Sequence, residues 1–318
     1  MHFLLRPFWE AKIKRLSEVF RLILFCGAKR WLCSGAVGRE MVWFLILAAV
    51  IVAVVGYLIY VNRNIRLVRL KLKYHHLPIE FDGYRILLMS DLHDKRFGRG
   101  NLRLLYYIQE AEPDMIVMAG DMHDIRSFSH SFADLAEELG RKGVPLFFAE
   151  GNHDIKPKHR LEYEMFMKML AANGVTVLHH GKNYEVQRYG KTIPVCGVGW
   201  FDEGRDNVSF EENEFCIFVK HDPLGFDRMT SRPSLMLSGH VHGGLIELPG
   251  FGAVFSPGNN SSLVTRLNKK YFRPKYYKGV YHRGGCDLVV SRGLGNSGIP
   301  FRFLMPEMTV ITLLSDRK

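Results

Sequence analysis

Through residues 79–318, short apolar runs keep stopping on polar side chains. Residues 84–90 (YRILLMS) run into Asp91, residues 114–119 (DMIVMA) into Gly120 and Asp121, and residues 144–149 (VPLFFA) stop just before Gly151, Asn152, His153 and Asp154. Between them, residues 101–112, 131–141 and 161–173 carry apolar positions at helical spacing, the last closed by Gly174. Runs this short with no polar face predict strands buried on both sides, and their alternation with helices predicts βαβ units. Beyond residue 175 the pattern changes. Residues 176–179, 184–189, 193–199, 215–220 and 235–237 read as strands with few helices between them. Two sheets face to face with helices outside is the economical architecture. No repeat, low-complexity run or long Pro/Gly/Ser linker interrupts residues 79–318, which read as one domain.

The N-terminal part follows a different pattern. Residues 41–61 (MVWFLILAAVIVAVVGYLIYV) are 21 residues without a charge, enough to cross a bilayer that needs about 20. The stretch is longer than a signal-peptide core and no small-x-small cleavage site follows, so an uncleaved transmembrane helix is expected. Residues 16–36 are only mildly apolar and are broken by Arg21, Lys29 and Arg30, which fits an interfacial helix within a basic 1–40 segment. Met41 would also serve as a start, in which case the bases after the span would argue for a cytoplasmic domain. Residues 62–78 read as a basic linker, with 74–78 as its hinge.

Charge refines this picture. Of 43 Lys/Arg and 32 Asp/Glu, residues 1–78 hold 13 and three, leaving the rest nearly neutral at 30 against 29. A nucleic-acid enzyme carries its basic patch on the binding domain, so no nucleic-acid partner is expected; the excess reads as membrane topology and contact with anionic lipid. Lys29, Arg30 and Arg39 precede the span and Arg63, Arg66, Arg69, Lys71 and Lys73 follow it, so the positive-inside rule assigns no side. The five cysteines are scattered, without a Cys-x-x-Cys pair, and indicate neither a disulfide framework nor a zinc ribbon.

The residues that end the apolar runs form a ligand set. Asp91, His93, Asp121, Asn152, His221, His240 and His242 offer carboxylate oxygen, amide oxygen and imidazole nitrogen without thiolate, a mixture suited to Mn, Fe or Zn. Two carboxylates and four imidazoles exceed the needs of one tetrahedral ion and match two ions sharing a bridging carboxylate.

In this order, Asp-x-His, Gly-Asp, Gly-Asn-His-Asp, His and Gly-His-x-His resemble the calcineurin-like metallophosphoesterase family, over about residues 83–309. SDLHDKRFGRGN (90–101), GHVHGG (239–244) and VVSRGLGNSGIPFRFLMPEMTVITL (289–313) are further similar to its bacterial membrane-anchored or exported phosphodiesterase subgroup. The resemblance implies a four-layer α/β/β/α sandwich after the transmembrane helix. It implies one divalent ion on Asp91, His93 and His242, a second on Asn152, His221 and His240, and Asp121 bridging them. It also implies a metal-bridging hydroxide as nucleophile, His153 as proton donor to the leaving oxygen, and Asp124 as the acid orienting His153. Where the protein-phosphatase branch has an arginine after that acid, this chain has Ile125, with Arg126 one later, which disfavours phosphoprotein substrates.

The expected activity is therefore hydrolysis of phosphodiester or pyrophosphate bonds in a phosphorylated small molecule or lipid-linked substrate. A pyrophosphohydrolase of a nucleotide-linked glycolipid precursor and a catalytically silent protein-binding scaffold are the alternatives. Arg292, Asn296 and Arg302 are candidate contacts to substrate phosphate. His123, His130, His159, His179, His180 and His282 read as ordinary core or surface residues, and Trp200, Phe201 and Phe210 as core packing. Gly243, Gly244, Gly293, Gly295 and Gly298 read as turn positions.

Overall fold

In the computed structural model, which describes residues 39–124, 131–155, 160–200, 208–211, 213–244, 246–248, 252–255, 275–296 and 301–316, the apolar runs become strands buried on both faces. The chain divides into two compact units, Met1–Ile59 and Tyr60–Lys318. In the first, the described residues all belong to α1 (Arg39–Arg63), which continues into the second unit and contains the expected span. It is long and apolar enough to cross a membrane. The expected interfacial helix of 1–40 lies outside the described residues.

The second unit contains β1 (Arg66–Tyr74), β2 (Arg85–Met89), α2 (Leu102–Ala111), β3 (Met115–Ala119), α3 (Ser131–Gly140), β4 (Leu146–Ala149), α4 (Arg160–Ala172), β5 (Val175–Val177), β6 (Asn183–Arg188), β7 (Lys191–Val198), β8 (Ile217–Lys220), β9 (Leu235–Ser238), β10 (Ile246–Leu248), β11 (Gly252–Phe255), β12 (Gly279–Arg283), β13 (Cys286–Val290) and β14 (Glu307–Ser315). One six-stranded sheet runs β1-β14-β2-β3-β4-β5 and the other β12-β13-β9-β8-β7-β6, with β10-β11 a separate pair. The strands β2 to β5 are mutually parallel, as are β7, β8, β9 and β13.

Strand periodicity sends alternate residues of one run into different cores. Ile86, Leu88, Met115, Val117, Phe147 and Ala149 face the other sheet and pack with Val195, Ile217, Val219, Leu235 and Leu237. Their neighbours Leu87, Met89, Ile116, Met118, Leu146 and Phe148 face the helices and pack with Leu104, Ile108, Leu135, Leu139, Phe166 and Leu170. This double burial is why the runs carry no polar face. Against the outer face of the second sheet pack Phe226, from the short 3-10 helix Phe226–Arg228, and the loop residues Val241 and Tyr276. Among the described residues no α-helix lies there.

The linker expected over 62–78 is also corrected: nine of its residues are β1, paired in parallel with β14 along its whole length. Leu72 and Tyr74 are buried while Lys71 and Lys73 are exposed, the alternation of a charged edge strand. In sequence the same bases read as the flank of a membrane span.

Candidate metal centre

The seven candidate ligands leave the C-terminal ends of five strands. Asp91 and His93 follow β2, Asp121 follows β3, Asn152 follows β4, His221 follows β8, and His240 and His242 follow β9. Both sheets thus deliver ligands to one end of the sandwich, where parallel strands release their loops. The backbone must turn sharply to aim side chains back over the strand ends. Asp91, His93, Asp121, His240 and His242 all have φ between 48° and 70°, left-handed conformations that cost a non-glycine residue about 1–3 kcal/mol each and recur at functional sites. Cross-links hold these turns: the Asp91 N–H donates to the Gly120 carbonyl at 2.9 Å, His93 N–H to Asp121 carbonyl at 3.0 Å, and Gly239 N–H to His221 carbonyl at 2.9 Å.

Three groups of donor atoms converge, each with its atoms within 4.8 Å of one another: Asp91, His93 and His242; His93, Asp121 and His153; Asp121, His221 and His240. Asp121 belongs to two of them. Its Oδ1 accepts from the His153 backbone N–H at 2.7 Å, while Oδ2 lies 3.3 Å from His221 Nε2 and 3.8 Å from His93 Nε2. On the first side His242 Nε2 is 3.3 Å from Asp91 Oδ1 and 3.2 Å from His93 Nε2. On the second, His240 Nδ1 is 3.2 Å from His221 Nε2, and the His221 Nδ1–H donates to the Ala119 carbonyl at 2.7 Å, which aims Nε2 into the cluster.

Burial and mutual charge set the protonation states. Burial pulls His93 and His240 down to about 4 and His242 well below the ordinary imidazole range, so all three are neutral rings with a lone pair to offer. Burial alone would raise Asp121, but His221 and His93 hold it well below the usual carboxylate range. Against the same burial, Asp121 and Asp91 raise His221 to about 10. Asp91 is pushed up to about 6, by burial first and by Asp121. Neutral imidazoles around an ionised acid fit a divalent cation. Asn152 adds a second sign, because its Oδ1 is buried without a hydrogen-bond partner, an arrangement that costs about 1–3 kcal/mol unless something binds it. The residues present therefore fit divalent metal.

His153 and Asp124 stand at the more open side, each side chain about one-fifth exposed, with His153 Nδ1 3.6 Å from Asp124 Oδ2. Ile125, Arg126, His130, His159, Phe201 and Gly298 lie outside the described residues.

Residues 84–244 match the family model described as calcineurin-like phosphoesterase. The chain belongs to the calcineurin-like phosphoesterase family. It is similar to the metallophosphoesterase YkuE of Bacillus subtilis, at 30% identity over 75% of this chain and 82% of the relative. It is also similar to a transmembrane protein with metallophosphoesterase domain of Danio rerio, at 27% identity over 90% of this chain and 65% of that longer protein. The phosphodiesterase YaeI of Escherichia coli is 28% identical over 58% of this chain and 70% of its own length. As a calcineurin-like phosphoesterase, this protein is a metal-dependent hydrolase of phosphoric esters.

The candidate substrate contacts are placed unequally in this phosphoesterase. Arg292 faces two acids, with Nη2 3.6 Å from Glu247 Oε2 and Nε 3.5 Å from Glu307 Oε2. Arg302 is buried, and its guanidinium donates to the carbonyls of His242, Arg292, Gly293, Gly295 and Leu304, so it braces the centre and does not reach a substrate. Asn296 stays beside the site: its Oδ1 accepts from Lys95 Nζ at 3.2 Å, and burial, then Arg302, bring that amine down to about 7.

Besides Lys95, three residues near the candidate ligands escaped the sequence reading. Asp154 takes backbone N–H groups from Asp121 at 2.6 Å, Gly151 at 2.8 Å and His123 at 2.9 Å, joining the loops after β3 and β4. Asp94 pairs with His123 at 2.8 Å. Trp200, expected in the core, places its ring 5.4 Å from that of His240 and 5.9 Å from that of His221. Only Asp154 left a sequence signal, the acid closing Gly-Asn-His-Asp.

Proposed function

We propose that this calcineurin-like phosphoesterase is a membrane-anchored enzyme that hydrolyses phosphodiester or pyrophosphate bonds with two divalent ions, Mn, Zn or Fe. The observation that carries the reading is Asp121, whose Oδ2 lies 3.8 Å from His93 Nε2 on one side and 3.3 Å from His221 Nε2 on the other. Asp91, His93 and His242 would hold one ion, Asn152, His221 and His240 the other, and Asp121 both. Bound there, the ions would supply Lewis-acid polarisation of phosphoryl oxygens and acidify water.

The chain's own residues do the rest. His153, on the open side with Nδ1 toward Asp124, would donate a proton from Nε2 to the departing oxygen, and Asp124 would keep the ring oriented. Lys95 and Asn296, held together beside the Asp91–His93 loop, present an amine and an amide to a phosphoryl group. The YaeI relative's name, a phosphodiesterase, supports diester over monoester cleavage. The span of 41–61 and the name of the Danio rerio relative support anchoring, with the substrate a phosphorylated small molecule or a lipid-linked one.

The test is hydrolysis of bis(p-nitrophenyl) phosphate and p-nitrophenyl phosphate by the full chain in detergent, stripped of metal and refilled with Mn, Zn or Fe. Expected is metal-dependent turnover of the diester, falling by about 100-fold or more in His153→Ala and lost with one or both ions in Asp121→Asn. Two ions bound per chain without turnover of either ester would replace this reading by the silent scaffold.

A further inference from the structure

Residues 301–305 (FRFLM) are apolar apart from Arg302, and their polarity is turned inside out. Arg302 is 6% exposed, while Phe301 and Phe303 on either side of it are each 39% exposed. All five guanidinium N–H groups find backbone carbonyls, so the arginine is satisfied where it lies. The two rings meet edge to face at 5.4 Å with much of their surface left open. In a loop bathed by water the charge would face out and the rings in.

The position of this loop says what it faces. Asn62, directly after the last apolar residue of the span, donates from Nδ2 to the Arg302 carbonyl at 2.9 Å and accepts from the Arg302 N–H at 2.8 Å. The next residue, Arg63, gives its carbonyl to the Arg103 guanidinium. Beside Arg103, Leu102 is 67% exposed, and one turn along α2 Tyr106 is 62% exposed. Four exposed apolar side chains thus lie within a few residues of the partners of Asn62 and Arg63, where the chain leaves the span. Arg63, Arg66 and Arg103 are exposed among them. Aromatic and apolar side chains mixed with arginine suit the headgroup layer of an anionic bilayer.

We propose that the 301–305 loop, with Leu102 and Tyr106, seats in the headgroup layer of the membrane that α1 spans. This rests on the reading of α1 as a membrane span. Because Arg302 braces the carbonyls of His242, Gly293 and Gly295, the docked loop is continuous with the metal centre and presents it to phosphate at the bilayer surface.

The test uses the full chain in phosphatidylcholine–phosphatidylglycerol liposomes. Cys26 and Cys33 are replaced by Ser; Cys196, Cys216 and Cys286 are buried and left in place. An environment-sensitive fluorophore is attached to Phe303→Cys or, as a control, to Tyr189→Cys, a position 81% exposed. Expected is a blue-shifted probe at 303, quenched several-fold more than at 189 by lipids carrying a nitroxide near the headgroup. A water-like probe at 303 in protein that resists alkaline carbonate extraction would overturn the docking and leave the span intact. Release of the protein by carbonate would overturn the span and the docking with it. A shifted probe that lipid nitroxide does not quench would assign the loop to a protein contact and overturn the lipid partner.

Discussion

Asp154 carries no proposed chemistry, yet its two oxygens accept three backbone N–H groups, one of them from Asp121. Burial, then Asp121, push this carboxyl well above the usual carboxylate range, and removing it strands buried donors at about 1–3 kcal/mol each. Asp154→Ala is therefore expected to lose more than about 3 kcal/mol in denaturant unfolding and to lower metal content, with Asp154→Asn intermediate because one oxygen remains. Protonation gives a second outcome at this scale. The metal-free carboxyl of Asp91 sits above its ordinary value, at about 6, and the His221 ring at about 10. At neutral pH His221 holds a proton that a cation must displace, and below about 6 Asp91 holds one as well. Metal affinity should accordingly weaken as pH falls, most steeply below about 6 where Asp91 is protonated, and binding at neutral pH should release protons. Calorimetry in two buffers of different ionisation enthalpy reads that release. The seven candidate ligands could be picked out in the sequence because they cluster where apolar runs end. Lys95, Asp94 and Trp200 could not, since what they touch comes from elsewhere in the chain.

At the scale of elements, β1 was hidden and β2 to β4 were legible for the same reason, local pattern. The strands β2 to β4 are uninterrupted apolar runs, whereas β1 alternates bases with leucines and finds its partner β14 at the other end of the chain. A protein begun at residue 74 would lose β1, with buried Leu72, and uncover the edge of β14. Truncation at 74 is expected to be insoluble or to unfold more than about 3 kcal/mol more readily than a chain begun at 60, by thermal melt of the two side by side. The turn after β3 allows a finer change. Gly120 has φ +81°, and a Cβ there would lie 2.6 Å from His221 Cγ. Gly120→Ala should keep the fold by circular dichroism while displacing His221 and reducing bound metal below that of the natural chain.

For the whole molecule, the cores between the sheets and under the helices are apolar throughout and assemble without the ligands. Chelation is therefore expected to lower the melting temperature without abolishing it. Refilling should restore about 4 kcal/mol when free metal is about 1,000-fold above its dissociation constant. The sequence alone determined the double burial of the central strands, the apolar span, the near-neutral domain and the order of the ligand segments, because each is written in neighbouring residues. Only the tertiary structure decided that Asp121 is shared between two donor groups, that Arg302 turns inward while its phenylalanines turn out, and that β1 closes the first sheet. Each of these depends on residues far apart in the chain meeting across strand ends, where hydrogen bonds and burial, not local pattern, choose the partner.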